Sequence, residues 1–290
     1  MRLIRSERES GSPVPVGRMC SLLSISRAAF YRWCKPKVDR DDMGVRSVMH
    51  EIALEQPWYG YRPMTHALRR SGFTINEKRV RRLMRLDNLV GSRRSVRTYL
   101  KYKRHGLPRY GNVAADFTPT GLDQLWLVDL TYVRLRNAFI FVAVALDAFS
   151  RRCVGWAIAE HMRTELTLQA LRMALRRRRP KPGLIHHSDQ GAQHAALEYV
   201  AELTEHGIVP SMSKAGTPTD NAICERFMKT LKYEEVLVNE YSDIDHAMRS
   251  IPHFIEIVYN RKRLHSALGY VPPAEFEAIH REQLLQSIPA

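Results

Sequence analysis

Between residues 124 and 160 the chain runs "QLWLVDLTYVRL", "AFIFVAVALDAF" and "RRCVGWAIAE" in close succession, with short polar breaks at Arg136-Asn137 and Ser150-Arg151. Each run is apolar and rich in β-branched and aromatic residues, so each predicts a strand. Breaks this short leave no room for the crossover that parallel neighbours require. The three strands are therefore expected as an antiparallel meander, and the downstream elements must be arranged around that sheet.

Beyond the meander, helices and strands alternate. "RTELTLQALRMALRRRR" predicts an amphipathic helix, "GLIHHS" a short buried strand, "AALEYVAELTEHG" a helix stopped by Gly207, and "IVPSMS" another strand. A helix starting after "GTPTDNA" comes next, then another through "AMRSIPHFIEIVYN", interrupted or started near Pro252. Three strands, a helix, a strand, a helix, a strand and a helix make a mixed α/β domain with helices around one sheet. That is the element order an RNase H-like fold requires, expected here over residues 121–280.

The first part of the chain differs in period and in charge. Residues 1–110 hold 25 Lys and Arg against 9 Asp and Glu, a net of +16, whereas residues 111–290 hold 20 against 21, a net of −1. A basic module meeting a polyanion is implied, joined to a nearly neutral globular domain. Nucleic acid is favoured over an anionic membrane because counterion release makes such clusters efficient on DNA and the basic part lacks a long apolar anchor. Residues 1–16, with "SGSPVP", are expected as a flexible leader. Residues 17–90 predict two small all-α helix-turn-helix units. In the first, a turn at Ser24 to Ser26 separates two helices, and the second presents Arg27, Tyr31 and Arg32. The other unit is set off by Pro63, by a stop at Gly72 and by an N-cap at Asn76. In its second helix Val80, Leu83 and Met84 take the core spacing and leave Arg79, Arg81, Arg82 and Arg85 largely outside. A basic segment with interleaved tyrosines, "GSRRSVRTYLKYKRHGLPRYG", continues that face through Arg93 and Arg94 and forms the expected linker, 91–120.

Three carboxylates carry the chemistry. Asp129 lies inside the apolar run "WLVDLTY", where an acid must be paired, hydrogen-bonded or bound to a cation. Asp189 comes after the fourth strand in "IHHSDQGAQH", and strand ends opening into loops are where α/β domains collect ligands. Glu225 stands in the first turns of the helix that begins in "GTPTDNAICER". Singly, each has an ordinary explanation: a bond to Thr131, a helix cap, a partner for the helix dipole. As a set they are three hard oxygen ligands without a cysteine or histidine pair, which favours Mg²⁺ or Mn²⁺ over zinc. Two such ions, roughly 3.5 to 4 Å apart, can activate a water or a DNA 3′-hydroxyl and stabilise the leaving oxygen of an in-line displacement.

Other residues group around this set. Glu225, Lys229 and Lys232 fall on one stripe at i, i+4, i+7, while Cys224, Phe227, Met228 and Leu231 form the apolar side. The lysines are placed to hold a DNA backbone; an exposed Glu-Lys helix pair is the dull equivalent. His186, His187 and His194 cluster near Asp189, and His187 and His194 are expected to orient it from behind. Asp147, at a strand end, is an alternative ligand by chemistry, but the reading preferred is that it fixes the turn to Ser150 and Arg151. Asn260, Arg261, Arg263 and His265 in "YNRKRLHSALGY" either clamp phosphate or cap the last helix. The four cysteines are scattered without a C-x-x-C pair, so they are expected reduced and mostly packed.

Several long motifs in fixed order carry a resemblance: "YGYR" at 59–62, "KRVRRLMR" at 78–85, "LVDLTYV" from Leu127, "LDAFSRRCVGW" at 146–156, "HSDQGAQH" at 187–194, "SMSKAGTPTDNAICERF" at 211–227 and "YNRKRLHSALGYVPPAEF" at 259–276. Over residues 17–278 the chain resembles the DDE transposases of bacterial insertion sequences, second-reading-frame type, whose core is similar to retroviral integrases. The resemblance implies Asp129, Asp189 and Glu225 as catalytic acids, Mg²⁺ as cofactor, and transposon ends plus target DNA as substrates. It also implies a homo-oligomer on DNA and a separate or fused upstream-frame DNA-binding protein. Ala192 and His194 stand where the family often has Ser and Tyr, and Asp123 where Asn is usual, so fine DNA contacts depart from the pattern. Two rivals to a strand-transferring enzyme are a DNA-binding regulator with a degenerate core and an RNase H-like nuclease. The intact acids disfavour the first, and the basic helical modules disfavour the second. With no apolar run of membrane length and no signal-peptide core at "MRLIRSERES", a cytoplasmic location is expected.

Overall fold

The computed structural model describes residues 1–34, 42–89, 107–136, 138–214 and 221–286. The chain divides into two compact units, Met1–His50 and Glu51–Ala290. In the first, α1 (Arg2–Glu9), α2 (Val16–Leu22) and α3 (Arg27–Cys34) share a small core of Ile4, Met19, Cys20 and Phe30. The turn before α3 is built as expected: Ser24 is left-handed at φ 52, and the Ser26 hydroxyl caps the helix by accepting from Ala29 N–H at 3.1 Å. The expected leader is overturned over Arg2–Glu9, where a helix buries Ile4 to 1% exposure and carries an Arg5–Glu9 ion pair at 2.8 Å. A single buried residue among charged ones gives that segment almost no apolar period to detect.

The unit boundary falls inside α4 (Met43–Glu55), so α5 (Tyr61–Arg70) and α6 (Glu77–Leu86) belong to the same unit as the sheet. Asn76 caps α6 by accepting from Arg79 N–H at 2.8 Å, and Val80, Leu83 and Met84 are its buried side.

The sheet is the meander β1 (Leu125–Arg134), β2 (Phe139–Asp147) and β3 (Cys153–Ala159), extended by two parallel strands. After α7 (Thr164–Arg178), β4 (Ile185–Ser188) pairs in parallel with β1. After α8 (Ala192–Ala195) and α9 (Leu197–Glu205), β5 (Val209–Met212) pairs in parallel with β4. The order is β3-β2-β1-β4-β5, which makes the first and fourth strands neighbours. Residues 111–114 run beside β5: Val113 and Ala114 N–H both donate to the Ser211 hydroxyl.

Alternation along β1 divides the interior. Trp126 and Val128 face the α7 side with Leu171 and Tyr199, while Leu125, Leu127 and Val133 face α10 (Ala222–Leu231) and α11 (Ile244–His253). Gly155 on β3 lets α7 approach, since a Cβ there would overlap the Ala170 carbonyl and Ala174. Past Pro252 the backbone widens into a π-helical stretch, Phe254–Lys262, and α12 (Pro273–Gln286) closes the chain. The helix thus runs past residue 280, where the core domain was expected to end, to Gln286.

α12 is tied by charge. Glu277, wholly buried, meets Arg152 at 2.7 Å and Arg178 at 2.8 Å and accepts from Ser150 Oγ at 2.8 Å. Glu275 makes a bidentate pair with Arg70 of α5, 2.7 and 2.9 Å. His66 of α5 stacks on Tyr270 at 3.8 Å, and the Tyr59 hydroxyl accepts from Leu264 N–H at 3.0 Å.

Candidate active site

Asp129 sits midway along β1 with the parity of Leu127 and Val133, on the face that α10 covers. The start of α10 is fastened there: Asn221 Nδ2 donates to Val128 O at 3.0 Å, and the buried Cys224 thiol lies 3.9 Å from Leu127 O. Glu225, one residue on, is half-buried beside the strand. Because β4 pairs with β1, Asp189 leaves the sheet next to the same place. The three acids come from a strand, a strand end and a helix start, and they feel one another's charge. Burial first, then the charge of Asp189, and to a lesser degree that of Glu225, push the Asp129 carboxyl up to about 7.

Asp189 is held from below. Its Oδ1 accepts from Gly191 N–H at 2.9 Å and lies 3.3 Å from His194 Nδ1. A Cβ on Gly191 would stand 2.9 Å from that oxygen, so any larger residue there would have to push the Asp189 carboxylate aside. His194 is itself fixed edge-on against Tyr199. His187 is placed differently: its ring nitrogens meet the Ser211 and Ser213 hydroxyls, each at 2.9 Å, tying β4 to β5. His186 meets the Tyr199 hydroxyl at 3.0 Å on the other face, and burial pulls its pKa down to about 3.

The acids are neighbours in charge without being a finished chelate: among the described residues, no three His, Cys, Asp or Glu side chains already close on one point. The donor chemistry fits a hard divalent cation. All three groups are carboxylates, and Asn221 adds a buried Oδ1 with no hydrogen-bond partner at the same place. Sequence reading passed over Asn221, although it stands four residues before Glu225 in "DNAICER".

Of the proposed DNA contacts, Lys229 is exposed. Lys232 is half-buried, its amine 5.3 Å from the centre of the Tyr132 ring, and burial lowers its pKa while the Asp129 charge partly offsets that. Arg27 and Arg32 are exposed on α3; Arg82 and Arg85 are exposed and Arg79 half-buried on α6. Arg93 and Arg94 lie outside the described residues. Arg261 is exposed, but two of its neighbours must be corrected. Asn260 is 1% exposed and spends its amide on the backbone of Cys153, accepting from N–H and donating to C=O, each at 3.0 Å. Arg263 is locked in a bidentate pair with the buried Glu234, 2.7 Å on both arms. Neither presents its polar atoms to a ligand. Asp147 does fix its turn: Oδ1 accepts from the Ser150 N–H and hydroxyl, and Oδ2 from Asp123 N–H at 2.7 Å.

Residues 119–218 and 206–273 each match an Integrase core domain family, and residues 39–97 match an HTH-like domain family. The chain is 36% identical over 247 residues to the transposase for insertion sequence element IS904 of Lactococcus lactis, covering 84% of this chain and 96% of that one. It is 35% identical over 272 residues to the insertion element IS600 uncharacterized 31 kDa protein of Shigella sonnei, 89% of this chain and 97% of that one. Against transposase InsF for IS3A of Escherichia coli it is 32% identical over 269 residues, 89% and 92% of the two chains. Among solved structures it is similar to the HTLV-2 integrase catalytic core domain in complex with magnesium, with a TM-score of 0.42 at 16% identity over 53% of this chain and 96% of that one.

Proposed function

Because the chain belongs to the IS3 family of insertion-sequence transposases, we propose that it cuts DNA at the ends of its element and joins the freed 3′ ends to target DNA, using Asp129, Asp189 and Glu225. What supports the assignment of the acids is their neighbourhood: β1, the end of β4 and the start of α10 deliver three carboxylates close enough that Asp129 feels the charge of the other two. Those three side chains, with the Asn221 Oδ1 nearby, would hold Mg²⁺ or Mn²⁺. The ion would lower the pKa of the attacking hydroxyl and offset charge on the leaving oxygen.

The chain's own residues do the rest. Gly191 N–H and His194 set the Asp189 carboxylate toward the site, while Lys229 and Lys232 on the Glu225 stripe position the phosphate backbone. The basic α3 and α6 faces add DNA contacts of their own, and the excess charge of the first 110 residues supplies much of the sequence-independent affinity. Work on two element ends and a target calls for more than one copy of the chain on DNA, in the cytoplasm of a bacterium, with an upstream-frame DNA-binding protein separate or fused. No helix among the described residues is long and apolar enough to cross a membrane.

The test replaces each acid by its amide. Asp129→Asn, Asp189→Asn and Glu225→Gln should each abolish end cleavage and strand transfer with Mg²⁺ while leaving DNA binding nearly unchanged, since shape is kept and one charged ligand is removed. Near wild-type joining by any one of them would remove that residue from the set.

A further inference from the structure

β1 outruns its neighbours in the sheet. β4 pairs only with Leu125–Leu127, and β3 reaches along β2 no further than Phe141, so the last rows of the meander are a two-stranded ribbon with Val133 opposite Ile140 and Arg134 opposite Phe139. Leu135 N–H donates to Ala138 O at 2.9 Å and closes its turn. Alternation sends Val133, Leu135 and Ile140 into the core and turns Tyr132, Arg134 and Phe139 to the other face. That face is open. Phe139 is 50% exposed and Tyr132 half-buried, and the two rings meet edge-on at 5.9 Å.

A single exposed phenylalanine needs no explanation. This one is braced by a neighbouring ring and shares its ribbon with cations. Residues 132–141, "YVRLRNAFIF", hold Arg134 and Arg136, both exposed, and no acid. Lys232, where α10 passes into a π-helical turn, brings its amine 5.3 Å from the centre of the Tyr132 ring. Among the described residues none of these three cations makes an ion pair. Rings that offer a face, together with cations and no carboxylate, suit an unpaired nucleic-acid strand, its bases on the rings and its phosphates on the cations. A purely apolar partner would cover the rings and leave the charges without a counterpart. The place fits as well. Tyr132 is three residues beyond Asp129 on β1 and Lys232 seven beyond Glu225 on its helix, each about 10 Å, which is roughly three base steps of a duplex.

We propose that the ribbon end, Phe139 braced by Tyr132 with Arg134 and Lys232 beside it, is a stacking platform for one unpaired nucleobase of the DNA strand that passes the acids. Given the transposase reading, on which this rests, the duplex opens within about three base steps of the reacting bond. Stacking on Phe139 offsets part of the cost of unpairing that base, and the neighbouring cations hold the phosphates on either side of it. A captured base fixes how far the strand can slide past Asp129 and Glu225, which backbone contacts alone leave free.

The test uses the full chain in chelator and duplexes carrying the ends of the element, each with a single mispair at a successive position near the cut. Phe139→Ala should bind the fully paired duplex roughly 3- to 10-fold more weakly, and Phe139→Trp should bind it as the wild type does. One mispair position should strengthen binding by the wild type and by Phe139→Trp several-fold, since the base there no longer has to be unpaired, and leave Phe139→Ala unmoved. The thermal midpoint of Phe139→Ala should shift little, because half the ring is already in water, and affinities are compared per folded molecule. Unchanged affinity in Phe139→Ala would overturn the platform. So would an alanine variant that gains from the same mispair as the wild type does. Loss of self-association in Phe139→Ala, with DNA affinity per protomer intact, would make the face a contact between copies and end the proposal. A wild type that binds but does not cut once Mg²⁺ is added would sink the assignment of the acids, with the platform still judged by the mispair series. A wild type that binds no duplex would overturn both.

Discussion

Replacing Asp129 by Asn is expected to make the metal-free protein more stable above neutral pH, although it removes one of the three carboxylates proposed to hold the metal. The carboxyl is held at about 7 against an ordinary 3.8, chiefly by burial and by Asp189. Between those values the folded chain keeps a proton that the unfolded chain has released, so stability falls as pH rises from about 4 to about 7 and the loss is complete above that. About three pKa units at 1.36 kcal/mol each set a ceiling near 4 kcal/mol. Solvent reaches the half-buried group, so about 1 to 3 kcal/mol is the expected size. Asn does not titrate, and its Oδ1 can still accept from Leu130 N–H, as the aspartate does at 2.8 Å. Urea unfolding of both proteins in chelator, at steps from about pH 5 to about pH 9, reads the difference. The gap should widen in favour of the variant up to about pH 7 and stay level above it, and added Mg²⁺ should raise the wild type alone. Parallel curves, or a variant less stable at the alkaline end, would refute the idea that this acid is held against its own ionisation.

Asn260→Ala should cost about 2 to 4 kcal/mol in unfolding, because it strands the buried N–H and C=O of Cys153, while DNA binding per folded molecule stays as in the wild type. A loss of DNA affinity without loss of stability would restore it as a contact residue. Lys229→Gln should leave the thermal midpoint almost unmoved, and Lys232→Gln should lower stability by about 0.5 to 1 kcal/mol through the lost contact with the Tyr132 ring. Both should weaken end joining more at high salt than at low, and joining that stays intact per folded molecule would confine Lys232 to a packing role.

Features with a local signature were legible in the sequence. The meander, the Asn76 cap, the buried stripe of α6 and the apolar side of α10 are each declared within a few residues by period or capping chemistry. Asp129 announced itself because an acid interrupts an apolar strand. Interactions that join distant segments did not show. Asn260 reaches Cys153 across 107 residues, and Arg263 reaches Glu234 across 29. A basic loop and a buried ion pair are written with the same letters.

Glu275 and Glu277 stand two residues apart on α12 and fasten to opposite parties, one to Arg70 beside the arginine-lined α6, the other to Arg152 and Arg178 under the sheet that bears the acids. The first turn of α12 is thus a two-sided clamp: Glu275→Gln should release α5 alone, and Glu277→Gln should free Arg152 and Arg178 from beneath the sheet, so proteolysis after either change should cut first at a different end of the same helix.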